Sequence, residues 1–175
     1  MIPRPRAGLV VLLAVAATIG CDRVTKHIAT TALADTPGRF YLADTIWLQY
    51  AENTGGFLGM GSDLPEAART ALFTVGTGLM LAALVAAALH YRWRGWLLVG
   101  AALVAAGGVS NWADRLVRGS VVDFITIGIG PLQTGVFNVA DVAIMLGVGM
   151  LMIAERHARR RISESGPEET VSERA

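Results

Sequence analysis

Two aspartates stand where an acid needs a reason. Asp141 opens an apolar run in FNVADVAIML, three residues after Asn138, so on a helix both side chains share one face. Asp123 lies in GSVVDFI with apolar residues on either side. Ionisable groups beside apolar segments are costly to bury and are retained for pairing or for chemistry. Two carboxylates held close cannot both ionise. They share a proton, so one can act as base on a water while the other, protonated, polarises a carbonyl, which is the chemistry of peptide hydrolysis. The bland reading is a helix-start charge favoured by the dipole at Asp141 and a solvated loop acid at Asp123. The two acids alone do not decide between them.

Their polar neighbours bear on the choice. Asn111 and Arg115 are four residues apart in SNWADR, with Asp114 between them, and can hold a substrate backbone; the alternative is an arginine snorkelling to an interface and paired with Asp114. Asp22 and Lys26, also four apart with the acid first, read as an i,i+4 salt bridge ending a helix more readily than as a site. In NTGGFLG, glycines allow a tight turn or a close approach, and Asn53 can bond peptide groups.

The elements that must position these residues are set by a membrane. Of 175 residues 53% are hydrophobic and 17% charged, with mean hydropathy +0.50, and the apolar residues gather into long uncharged runs. The run at 70–89 suffices to cross a roughly 30 Å hydrocarbon core at about 1.5 Å per residue. With those at 7–21, 95–113 and 138–154 the expectation is an α-helical integral membrane protein with four transmembrane helices, at about 7–27, 68–90, 95–113 and 138–156. Residues 1–156 then form one domain and 157–175 a disordered cytoplasmic tail. Basic residues flank these runs at Arg4 and Arg6, at Arg92 and Arg94, and from Arg156 to Arg161, all on one side of a four-span topology; that side, with both termini, is cytoplasmic. The opposite side holds excursions at about 27–66 and 113–137. There RFYLADTIWLQY and SVVDFITIGI read as a small β-rich layer on the outer membrane surface.

Other classes are set aside. No basic stripe with interleaved aromatics suggests nucleic acid, no Cys or His cluster has the spacing of a metal site, and no cofactor is expected. Basic residues followed by an apolar run and TIGC imitate a lipoprotein signal ending at Cys21. Thr18 stands where such signals prefer Leu, however, and three more apolar runs follow, so Cys21 reads as a small helix residue.

Five blocks in order, DRVTK (22–26), NTGGF (53–57), AGGVSNWADR (106–115), GSVVDF (119–124) and FNVAD (137–141), resemble the lipoprotein signal peptidase family over residues 7–156. The resemblance implies a membrane aspartyl endopeptidase that cleaves prolipoproteins before a diacylglyceryl-modified cysteine, in the bacterial inner membrane, with its active site at the outer face. It places the catalytic acids at Asp123 and Asp141. By the same matching Asn53, Asn111, Arg115 and Asn138 bind substrate, and Asp22, Lys26, Gly55, Gly107, Asp114 and Gly119 support the site. Gly56 stands where the family often has Ala, and Ala106 and Ser110 where Gly is frequent; all are exchanges among small residues. A lipid-modified substrate enters sideways from the bilayer, so prolipoproteins and membrane lipid are the expected partners and a monomer suffices. The rival from another class is a proton-coupled transporter using both aspartates as a relay, which should place them near the midplane in broken or repeated helices. A purely structural membrane subunit would leave the five polar blocks without a purpose.

Overall fold

The computed structural model describes residues 4–164. Its elements run α1 (Arg4–Leu33), β1 (Arg39–Tyr41), β2 (Ile46–Asn53), a 3-10 turn (Phe57–Gly59), α2 (Glu66–Arg69), a π-helical stretch (Thr70–Gly76), α3 (Thr77–His90), α4 (Gly95–Arg118), β3 (Val121–Ile129), β4 (Leu132–Gln133) and α5 (Val139–Glu164). The α2, π and α3 pieces form one continuous rod. Three helices, Gly8–Leu33, Glu66–His90 and Gly95–Arg118, are long and apolar enough to cross a membrane. In α5 the uncharged residues 142–154 are bracketed by Asp141 and Glu155.

Helix α4 is the centre of the bundle, packing against α1, α3 and α5. Lipid tails offer no hydrophobic drive for helices to associate, so close approach depends on small residues. A Cβ at Gly147 would fall 2.6 Å from the Gly100 carbonyl oxygen, and one at Gly107 would strike the carbonyl of Ala140. These glycines let α4 and α5 touch backbone to backbone, and the Gly107 contact lies one turn below Asn111 and next to Asp141.

A buried ion cluster joins α1 to both partners. Lys26, 5% exposed, donates its three N–H groups to Asp22 Oδ2 (2.7 Å), Asp114 Oδ2 (2.8 Å) and Asn111 Oδ1 (2.7 Å). Asp22, fully buried, also accepts from Ser110 Oγ (2.6 Å) and from the Ala140 backbone N–H (3.0 Å) at the start of α5. Arg23 completes the balance by pairing with Asp114. The i,i+4 pair read from DRVTK therefore exists, and it is a three-helix junction rather than a helix end.

The strands form one antiparallel sheet in the order β1-β2-β3-β4. On β3, Val122 and Phe124 are buried against Ala29 of α1, with Leu33, Tyr50 and Val139 packed around them. That contact explains why α1 runs to Leu33 instead of ending near 27: its last turns cover the sheet. Likewise α4 continues past 113 to Arg118, because Asp114 is held inward by the ion cluster. It stops at Gly119, whose φ of 74° is the left-handed conformation of a helix C-cap. The excursions therefore begin at 34 and 119. The expectation of disorder from 157 is corrected for residues 157–164, which continue α5 with an Arg159–Glu155 i,i+4 pair on an exposed face; residues 165–175 lie outside those described.

Replacing Lys26 by Met removes the cation that two buried carboxylates share. The expected cost is about 3–5 kcal/mol of stability, read as a lowered thermal unfolding midpoint in detergent. An unchanged midpoint would mean that the cluster does not hold the three helices together.

Candidate active site

The site begins with a helix cap. Asn138 precedes the first helical residue of α5; its Oδ1 accepts from the Asp141 backbone N–H (3.0 Å), and Asp141 Oδ2 in return accepts from the Asn138 backbone N–H (3.1 Å). This reciprocal box fixes the Asp141 carboxylate at the mouth of its own helix. The expected span start at 138 is thus the cap, and the helix proper begins at Val139.

The amide nitrogen of Asn138 remains free to reach sideways. It donates to Asp123 Oδ1 (2.6 Å) and to Asn111 Oδ1 (3.2 Å). Asn138 is fully buried, Asp123 is 1% exposed and Asp141 is 8% exposed, so this one residue links two carboxylates inside the protein. Chain connectivity arranges the meeting: the Phe137 carbonyl accepts from the Phe124 and Ile125 N–H groups of β3, which brings the entrance of α5 beside Asp123.

Asp123 is approached from the other side by β2. Ala51 pairs with Asp123 and Asn53 with Val121, after an irregularity between Leu48 and Ala51 that admits one extra β2 residue. Asn53 is therefore the diagonal cross-strand neighbour of Asp123 and donates to its Oδ2 (2.8 Å). The Asn53 oxygen accepts from the Gly55 N–H (2.9 Å) and its nitrogen also donates to the Gly56 carbonyl (2.9 Å), folding the NTGG loop back over the pair. Burial pushes the Asp123 carboxyl up from 3.8 to about 6; the Asn53 and Asn138 hydrogen bonds oppose the rise and the neighbouring Asp141 charge adds to it.

Helix α4 supplies the remaining contacts. Lys26 can only donate, so the Asn111 oxygen must face it, and the Asn111 nitrogen is left to donate to Asp141 Oδ1 (3.0 Å). Each aspartate thus accepts two N–H hydrogen bonds, and among the described residues no cation touches either; Lys26 reaches Asp141 through the Asn111 amide. Arg115 is not paired with Asp114. Its guanidinium donates to the Gly55 carbonyl and to the Asn111 carbonyl (3.4 Å), while Asp114 binds Arg23 and Lys26.

All the residues singled out in the sequence meet at this end of the bundle. Asp123, Asp141, Asn53, Asn111 and Asn138 form one hydrogen-bonded unit, Arg115 and Gly55 close it from the loop side, and Asp22, Lys26, Asp114 and Gly107 lie behind it. Gly119 caps α4 without touching the acids. Sequence reading passed over Arg23 and Trp112, and took Ser110 only as a small residue in place of Gly. Ser110 holds Asp22, and Trp112 Nε1 donates to the Thr74 carbonyl (2.7 Å) in the π-helical stretch, where displaced hydrogen bonding frees such a group. A charge and polar groups inside apolar runs were the available signals. Among the described residues no group of three or more His, Cys, Asp or Glu side chains gathers as a metal would need.

Comparison with known proteins now places the chain. The signal peptidase (SPase) II family matches residues 14–156. A lipoprotein signal peptidase from Azoarcus sp. (strain BH72) is 32% identical over 160 residues, covering 90% of this chain and 88% of that protein. One from Sphingopyxis alaskensis is 36% identical over 133 residues, covering 75% and 76%. Among solved structures, a bacterial membrane enzyme determined by the in meso method at 2.3 Å superposes with a TM-score of 0.75 at 25% identity, over 93% of this chain and 94% of that one. With a matched family spanning most of its length and relatives of the same kind beside it, this chain belongs to the signal peptidase II family.

Proposed function

We propose that the chain is an aspartyl endopeptidase of the bacterial inner membrane that removes signal peptides from prolipoproteins by cutting before a diacylglyceryl-modified cysteine. Membership of the signal peptidase II family carries the substrate class. The observation that carries the mechanism is the pair of buried carboxylates, Asp123 and Asp141, linked through Asn138. A proton-relay transporter is not favoured: Asp141 sits in the first turn of its helix and Asp123 on a strand, and neither lies within a helix interior.

In this reading Asp123 holds the shared proton and Asp141 is the base. Asp123 titrates at about 6, and a bound signal helix would exclude water and raise it further, so that it polarises the scissile carbonyl at neutral pH. Asp141, held by the Asn138 N–H and by the Asn111 amide that Lys26 polarises, takes a proton from the attacking water. As the tetrahedral intermediate collapses and its C–N bond breaks, Asp141 passes the proton taken from water to the leaving amine, and Asp123 retains the proton it had shared with the carbonyl oxygen. Asn53 and Arg115 already donate to backbone carbonyls, of Gly56 and Gly55, which is the group that a substrate strand offers; we assign them to substrate positioning.

Topology follows from charge. α5 completes a fourth crossing, the Arg-rich segments face the cytoplasm with both termini, and the sheet and aspartates lie at the outer surface. A lipid-modified substrate reaches them sideways from the bilayer, and one copy of the chain contains the whole site.

Purified protein in detergent should cleave a diacylglyceryl-modified prolipoprotein before the lipidated cysteine. Asp123→Asn and Asp141→Asn should each lower kcat by about a thousandfold or more while leaving the unfolding midpoint within a few degrees. Near-normal turnover by either variant would remove that residue from the reaction.

Stability should also depend on pH through Asp123. Its folded value is raised, so between about 4 and about 6 the native chain keeps a proton that the unfolded chain has released. The contribution to stability is therefore greatest at the acid end and falls as pH rises through that window. Asp123→Asn should flatten the fall, and in wild type a protonated-carboxyl infrared band should titrate with a midpoint near the same value. A band that disappears at pH 4 would contradict the assignment.

A further inference from the structure

Across α4 from the dyad lies a second feature that the proteolytic reading leaves unused. A hollow of about 430 Å³ opens between α1 and α4. Its walls are Ile19, Val109, Ala113 and Val117; its upper rim is Arg23 and Arg118. Residues 113 and 117 are two positions from 115, which on a helix puts them nearly opposite Arg115 and Asn111. The hollow therefore faces away from the aspartates and away from α5. Val117 is 83% exposed and the Arg23 side chain 42%, so the groove is open on its outer side.

The chemistry along it is graded. From Arg118 down to Val109 is nine residues of α4, or about 14 Å. Two guanidinium groups stand at one end and aliphatic side chains at the other, with Ile19 one turn below Arg23 on α1. The one acid in the lining, Asp114, is already shared between Arg23 and Lys26, so the rim carries surplus positive charge. Arg23 commits two of its five N–H donors, to Asp114 and to the Ser110 carbonyl (2.8 Å). A cationic rim over an apolar channel, on helices apolar enough to cross a bilayer, matches one phosphate above one acyl chain.

We propose that this groove seats an anionic phospholipid, its phosphate between Arg23 and Arg118 and an acyl chain along Ile19, Val109, Ala113 and Val117. The ligand is a lipid and not free phosphate, because below the arginine rim Ile19, Val109, Ala113 and Val117 form an aliphatic wall that only a chain would cover. The site does not depend on what the aspartates do.

Native mass spectrometry of the full chain in a non-ionic detergent, with phosphatidylglycerol, phosphatidylcholine or inorganic phosphate added, tests this. Phosphatidylglycerol should bind about fivefold more tightly than phosphatidylcholine, and Arg118→Gln should remove about fivefold of that affinity. Arg23→Gln combined with Arg118→Gln should remove about 25-fold. Since Arg23 also pairs with Asp114, Val117→Trp provides a variant that fills the groove without touching the ion cluster; it should displace the lipid with cleavage unchanged. Equal binding of the two lipids, full retention by Arg118→Gln and Val117→Trp, displacement of lipid by equimolar inorganic phosphate, or a dimer abolished by Val117→Trp would each overturn the proposal.

Discussion

Everything at the sheet-covered end of this molecule converges on the side chain of Asn138. Its oxygen caps α5, its backbone N–H is returned to Asp141, and its amide nitrogen reaches both Asp123 on β3 and Asn111 on α4. A buried amide with unmet groups costs roughly 1–3 kcal/mol, so the native fold satisfies all four contacts together. That requirement ties a helix start, a strand and a second helix to one point. The glycine seam between α4 and α5 and the bulge in β2 are the means by which each element arrives there.

The ion cluster serves the same point from behind. A lysine placed directly on either aspartate would clamp it as a simple ion pair. Here Lys26 is matched first by Asp22 and Asp114, and only its third N–H turns toward the site, where it sets which way the Asn111 amide faces. The result is orientation without neutralisation. Among the described residues, the hydrogen-bond donors on the two carboxylates are neutral amides.

Much of this was legible in the sequence because membrane burial makes polar residues conspicuous. Asp141, Asn111 and Lys26 interrupt or flank apolar runs, and each proved to face inward. Long apolar runs marked the helices, and the aromatic and β-branched content of SVVDFITIGI marked β3. What did not show was anything decided by tertiary contact. α1 lengthens to Leu33 because Ala29 meets Val122 and Phe124, which no local pattern in ATTAL announces. Arg115 reaches back four residues to the Asn111 carbonyl, as its spacing allows, but its second acceptor is a loop carbonyl sixty residues away that no local pattern announces. Arg23, which carried no reading of its own in DRVTK, closes the buried cluster by pairing with Asp114. The last helix overran its expected end because Arg-rich sequence can continue a helix in water as readily as it can dissolve one.

The linking role of Asn138 can be separated from its capping role with one substitution. Serine caps a helix about as well as asparagine, yet it has no amide nitrogen to extend to Asp123 and Asn111. Cleavage of a lipidated prolipoprotein by Asn138→Ser, measured beside its unfolding midpoint, therefore isolates the bridge. The expected result is a variant still folded at the assay temperature, its midpoint lowered by several degrees for the lost amide hydrogen bonds, with a kcat at least about a hundredfold lower. A variant that unfolds normally and cleaves at the wild-type rate would contradict it, because the two carboxylates would then be held together by something other than Asn138.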